Sequence, residues 1–178
     1  MRTPKAIPGQ ANLHQPATRT LRNLCRDPVV LSRHAPGGAF GDMSDNQIMA
    51  SHEYYESINY NVDYAIDGSL NRDLVSGTSY KRWLVYPVAA TEDVMFKFST
   101  PVNVKAVEIY ACHDAYGASA ITVKYWNGSS WTEALPTTTV EHLYTYTIVP
   151  LMVTSVGWQI IFTPRTTQLE LRQIRLWG

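Results

Sequence analysis

The side chains able to do chemistry lie in three loop-like stretches, not in one compact motif. "SHEYYESINYN" (51–61), "GTSYKRW" (77–83) and "CHDAYGAS" (112–119) supply His52, Tyr54, Tyr55, Tyr80, Arg82, Trp83, His113, Asp114 and Tyr116. Aromatic rings offer a flat apolar face, while charged and amide groups offer directed hydrogen bonds. Together they suit a hydroxyl-rich ring, with Trp83 and Tyr116 as stacking faces and His52, Arg82 and Asp114 as hydroxyl partners. Tyr, Trp and Arg are equally the residues of protein–protein hot spots. A Tyr-rich protein interface ranks ahead of a sugar site on these residues, because of a basic arm at the N-terminus.

Catalytic sets are missing from the pattern. There is no Gly-x-Ser-x-Gly elbow and no glycine-rich phosphate loop. The five histidines (14, 34, 52, 113, 142) are scattered, without His-x-x-x-His or Cys-x-x-Cys spacing for zinc. The carboxylate pairs Glu92-Asp93 and Glu53/Glu56 sit in polar surroundings and read as solvated loop charges. Asn127-Gly128-Ser129 has the form of a glycosylation sequon and reads as a turn. The expectation is a non-enzymatic protein.

The chain's 178 residues suffice for one well-buried domain plus an appendage. The formal charge is zero but unevenly spread. Residues 1–40 hold Arg2, Lys5, Arg19, Arg22, Arg26 and Arg33 against Asp27, giving +5, and the remainder gives −5. Five prolines (Pro4, Pro8, Pro16, Pro28, Pro36) and Gly37-Gly38 punctuate the same stretch. Residues 1–41 therefore read as an extended arm ordered against a partner, with Arg19, Arg22, Arg26 and Arg33 clamping an acidic neighbour. Six dispersed charges without a dense run argue against nucleic acid. Cys25 and Cys112 are too few for a disulfide framework. "MRTPKAIPGQ" has no apolar signal-peptide core, and no apolar stretch is long enough for a membrane helix.

The elements that must carry these residues are strands. "MFKF" (95–98), "VKAVEIYAC" (104–112), "ITVKYW" (121–126), "YTYTIVP" (144–150), "GWQIIFTP" (157–164) and "LELRQIRLWG" (169–178) are β-branched or aromatic, mostly alternating, and bounded by turn formers. "VKAVEIYAC" breaks its alternation, which points to a bulge or a buried strand. In 121–126, Ile121, Val123 and Tyr125 share one face, and Asn127-Gly128-Ser129-Ser130 reverses the chain. Trp131 then covers the sheet edge or packs across from Tyr125. Strands at this spacing without helices mean an all-β sandwich or barrel.

Three pieces stand in a specific order: "MASHEYYESINYNVDYAIDGSLNRD", "VMFKFSTPVNVKAVEIY" and "GWQIIFTPRTTQLELRQIRLWG". Their combination resembles the discoidin-like, coagulation-factor type C domains. The matching marks are Ala50-Ser51, Ala65-Ile66-Asp67-Gly68, Pro101, Ile109-Tyr110, Leu171-Arg172-Gln173-Ile174 and Gly178, so the resemblance runs over about 46–178. It implies a jelly-roll β-sandwich of the galactose-binding-like type (42–178) behind the extended arm (1–41). It also implies a binding module for sugars, anionic lipid or proteins, a kind of domain that serves phage tails and virion surfaces too. A structural calcium near Asp67 is implied, helped by a Glu in the last strand. Gln173 stands where that Glu is expected, which removes an anionic ligand and puts the calcium in doubt.

Two functions follow as expectations. The first is a structural or adaptor component of a phage particle or tail, found in the virion and made in the host cytoplasm. Its arm would be held by other subunits of a symmetric assembly. The alternative is a carbohydrate-binding module recognising a surface glycan.

Overall fold

The computed structural model describes residues 22–25, 31–54, 61–66, 82–111, 116–140 and 149–178. Among them run β1 (Ser32–Arg33), β2 (Gln47–Ala50), β3 (Trp83–Val85), β4 (Glu92–Ala111), β5 (Ala118–Trp126), β6 (Trp131–Thr139), β7 (Val149–Pro164) and β8 (Leu169–Trp177). Single 3-10 turns occupy Phe40–Asp42 and Val62–Ala65. The protein is an all-β jelly-roll sandwich.

One strand builds both layers. The first part of β4 pairs with β2 and β7 in a layer ordered β1-β2-β4-β7-β5-β6. Its last part, Ala106–Ala111, pairs with β8, which in turn pairs with β3. Register breaks between Lys97 and Val102 and between Val104 and Ala106 bend β4 from one layer into the other. The broken alternation in "VKAVEIYAC" has its physical reason here.

Alternation fills the space between the layers. Ile121 and Val123 from β5, Trp158, Ile160 and Phe162 from β7, and Leu171, Ile174 and Leu176 from β8 are all fully buried. Trp83 crosses from the smaller layer to meet Phe162 edge-on, with ring centroids 5.7 Å apart. Each such side chain contributes about 1.5–3 kcal/mol by leaving water.

The 121–135 hairpin closes as its residues dictate. Asn127 Oδ1 accepts from the Ser129 and Ser130 amides, both at 3.0 Å, and Gly128 takes a φ of +106°. Trp131, however, stands opposite Trp126 and not Tyr125. Tyr125 turns toward Trp158 in the core, while Trp126, Trp131 and Phe40 form an aromatic cluster on the outer face, with centroids 4.9–5.5 Å apart. Gly157 makes room for it: a Cβ there would sit 2.4 Å from the Phe40 ring.

That cluster corrects the picture of the arm. Where residues of 1–41 are described, they pack on the sandwich itself. Cys25 is fully buried, Leu31 nearly so, and both belong to the core. The Leu24 amide donates to Leu176 O at 2.7 Å, and Asn23 forms an antiparallel bridge with Trp177. β1 lies parallel to β2. Arg33, expected as a clamp for a neighbour, is instead gripped by Glu53 through both carboxylate oxygens. Arg22 pairs its backbone reciprocally with Gly178, at 3.0 Å each way. Cys25 and Leu31 are core residues with Leu24 packed against them, which is why this proline-rich stretch is too apolar for a linker. Arg19 and Arg26 lie outside the described residues.

Arg22 and Gly178 mark one end of the sandwich. At the other end, backbone bonds lace four segments together: Ser51 to Asp93, Tyr54 to Leu84, Val88 to Thr167 and Arg165 to Gly117. β8 runs from the laced end, at Leu169, to the terminal end, at Trp177, a distance of roughly 26 Å.

Candidate functional site

β3 explains the site. A strand alternates its side chains, so Trp83 and Val85 point into the core while Arg82, Leu84 and Tyr86 share the outer face. Tyr54 is brought beside them by its amide, which donates to Leu84 O at 2.9 Å. Gln168 arrives from the turn between β7 and β8. Tyr54, Arg82, Leu84, Tyr86 and Gln168 line a pocket of ≈ 310 Å³.

Its two aromatic walls stand edge to face. The Tyr54 and Tyr86 rings are 6.3 Å apart at 69°, and Tyr86 is 50% exposed. The opposite wall is polar. Arg82 Nε lies 3.0 Å from Glu170 Oε2, and Arg82 Nη2 donates to Glu170 Oε1 at 3.3 Å. Gln168 Nε2 donates to the same Oε1. Glu170 is buried and faces Leu84 across the β3–β8 pair. A buried carboxylate with these partners holds a guanidinium and an amide in fixed orientation. The arrangement can stack one face of a small ring and present directed polar groups to its edge.

The expected site residues divide accordingly. Tyr54 and Arg82 meet in the pocket. Trp83 does not: it is a strand residue, fully buried, with its indole Nε1 donating to His52 O at 2.9 Å, and it cannot offer a stacking face. His52 stands exposed at the same end, its Nδ1 2.8 Å from Glu92 Oε2. Tyr116 precedes Gly117, which is bonded to Arg165, and lies outside the pocket lining. Tyr55, Tyr80, His113 and Asp114 lie outside the described residues. Leu84, Tyr86, Gln168 and Glu170 went unread in the sequence, although the alternation of "RWLVYP" signals the first two once 83–85 is taken as a strand.

Of the carboxylates expected as solvated loop charges, Glu53, Glu92 and Asp93 are corrected as well, and Glu56 lies outside the described residues. Glu53 is nearly enclosed, receiving Arg33 and the Val62 amide at 2.7 Å. Glu92 is 1% exposed and opens β4. It accepts from Ser51 Oγ at 2.6 Å and from the Ala89 amide at 2.7 Å, and holds His52 as well. These bonds pin the loop before β4 to the segment after β2. Ser51 and His52 both reach the same oxygen of Glu92, so the histidine does not stand between serine and carboxylate as a base would. Asp93 is half-buried and accepts from Gln159 Nε2 at 2.9 Å. Burial pushes its carboxyl up, and Gln159 opposes this.

Of the implied calcium site the structure describes Gln173, which is fully buried: its Nε2 donates to Ala65 O at 3.3 Å, and its Oε1, without a hydrogen-bond partner among the described residues, offers one neutral oxygen where the implied site has an anionic one. Asp67 lies outside the described residues, and among those described no three His, Cys, Asp or Glu side chains converge. No helix among them is long and apolar enough to cross a membrane.

Comparison with known proteins places the fold. No family model matches the chain, and no curated protein matches its sequence. Solved structures do match. The F5/8 type C domain of a Bacteroides fragilis protein superimposes with a TM-score of 0.59 at 14% identity, over 74% of this chain and 90% of that one. The family 32 carbohydrate-binding module of Clostridium perfringens NanJ, solved with galactose, gives 0.60 at 12% identity, over 74% and 93%. Chitosan-binding module 1 of a Paenibacillus sp. IK-5 chitosanase/glucanase gives 0.58 at 19% identity, over 74% and 94%. The chain therefore shares the fold of galactose-binding-like, discoidin-type domains.

Proposed function

We propose that this protein is a non-catalytic carbohydrate-binding module whose sugar site is the pocket on the outer face of β3. The observation that carries this reading is the pairing of two wall types in one pocket: the Tyr54 and Tyr86 rings against the fixed polar set of Arg82 and Gln168. Similarity of fold to modules solved with, or named for, sugars supports it. A glycan array on the whole chain tests it. Specific signal is expected, and Tyr86→Ala should remove most of it, about tenfold or more in affinity, since one ring carries much of the buried contact. The variant should melt with the wild type, because Tyr86 is half-exposed. An array silent for folded wild-type protein would remove the reading.

A structural role in a virion or tail is compatible with this one, the module then being carried on the particle toward host glycans. What supports it is charge: Arg2, Lys5 and Arg19 fall in residues 1–21, ahead of the packed segment. Electron microscopy of the native source, looking for the protein in a symmetric particle, tests that part.

A further inference from the structure

The fold alone does not choose the charge of its ligand, but the wall chemistry does. Arg82 is the only charged residue among those described that line the pocket. Its guanidinium is engaged at two points by Glu170, whose side chain is 8% exposed. Both oxygens of that carboxylate are occupied, Oε2 by Arg82 and Oε1 by Arg82 and Gln168 together. Arg172, further along β8, is buried and lies outside the lining. The surface that the described residues offer to a ligand is therefore electrically balanced: two phenol rings, the Leu84 side chain, an amide, and a cation set against Glu170.

We propose that the pocket selects uncharged sugar rings over both uronate-bearing and amine-bearing ones, and that Glu170 sets this selectivity by neutralising Arg82. The inference rests on the carbohydrate-binding reading. A sugar carboxylate would need the fork of Arg82, and taking it would leave Glu170 a buried charge without its partner. A sugar ammonium would meet Arg82 first, since Glu170 lies beneath it with its oxygens occupied. A neutral ring needs neither exchange: its hydroxyls accept from and donate to groups already in place. Glu170 acts through Arg82 and Gln168, so it is a positioning residue.

The test uses the full chain and its Glu170→Gln variant on an array carrying neutral, uronate-bearing and de-N-acetylated amino glycans. Wild type should bind neutral glycans, with acidic and amino counterparts about tenfold weaker or absent. Glu170→Gln removes the negative charge set against Arg82, so the ratio of uronate to neutral signal should rise about tenfold, whatever the change in neutral binding itself. Wild type brighter on uronate or amino glycans would overturn the inference and leave the sugar-binding reading standing. So would a variant that binds neutral glycans with that ratio unchanged. Silence of both folded proteins on every class would overturn the reading and the inference together. Should the variant not fold, wild type still decides. Affinity for a neutral glycan should vary less than about twofold between low salt and about 0.5 M sodium chloride, and steep loss with salt would count against a balanced pocket.

Discussion

At the scale of single residues, burial reassigns chemistry that residue type alone suggests. Trp83 and Tyr86 are both large aromatics three positions apart, yet one is core and the other is half in solvent. Odd spacing would put them on opposite faces of a strand, and that is what β3 does. Glu92 and Asp93 are adjacent carboxylates with different surroundings: Glu92 ties three groups together, whereas Asp93 shares one bond with Gln159 on the outer face. Burial raises the Asp93 carboxyl above its ordinary value of 3.8, with Glu92 nearby adding in the same direction and Gln159 opposing. A folded-state value above the unfolded one means that the folded protein holds this proton more tightly. Its contribution to stability is full below the unfolded value and is lost as pH rises through the folded one. Asp93→Asn keeps an oxygen for Gln159 and abolishes the ionised form. It should melt above wild type near about pH 7, the gain fading toward about pH 3 where wild-type Asp93 is protonated. Thermal melts across that range check it, and a variant less stable at neutral pH would show that the ionised carboxylate is favoured after all.

At the scale of elements, legibility in the sequence followed length and period. β4, β5, β7 and β8 are long and carry enough alternation or apolar density to be read as strands. β3 has three residues, too few for a period, and its neighbours in "GTSYKRW" carry turn signals, so local sequence does not distinguish the strand that organises the pocket from a loop. β1, with two residues, and β2, with four, fell into the same blind spot. The apolar pieces near Cys25 and Leu31 failed for another reason: nothing local distinguishes a segment that docks on its own sandwich from one that docks on a partner. Cys25 makes that docking measurable. Burial pushes its thiol up to about 12, against a slight opposing pull from its backbone bond to Leu176. A thiol both enclosed and protonated at neutral pH is inert. In a Cys112→Ser background, native protein should resist Ellman's reagent and react fully only in denaturant. Prompt labelling of the native protein would mean that residues 22–25 leave the core readily.

At the scale of the whole molecule, the sandwich is polar from end to end. Arg22 and Gly178 meet at one end, while Tyr54, Tyr86 and Gln168 open at the other, so the pocket faces away from the end that holds Arg22 and Gly178. The jelly-roll and its discoidin-like type could be read from the order of three sequence pieces; the division at residue 41 could not, because the boundary is a matter of packing. Cys25 and Leu31, both ahead of residue 41, already belong to the core. Removing residues 1–21 disturbs none of the contacts described for the sandwich. Removing residues 1–41 takes Cys25 and Leu31 from the core, strips β1 from β2, orphans the nearly enclosed Glu53, and lifts Phe40 from Gly157, Trp126 and Trp131. Losing a buried Leu, a Cys and most of a Phe costs on the order of 5 kcal/mol. That is comparable to the whole stability of many domains. The shorter deletion keeps every one of these contacts, so it should melt well above the longer one and keep any glycan binding. The longer one should melt at least about 10 °C lower or fail to fold. Equal melting of the two truncated proteins would restore a detachable arm reaching to residue 41. A large loss from the shorter one would mean that residues 1–21 also pack on the sandwich.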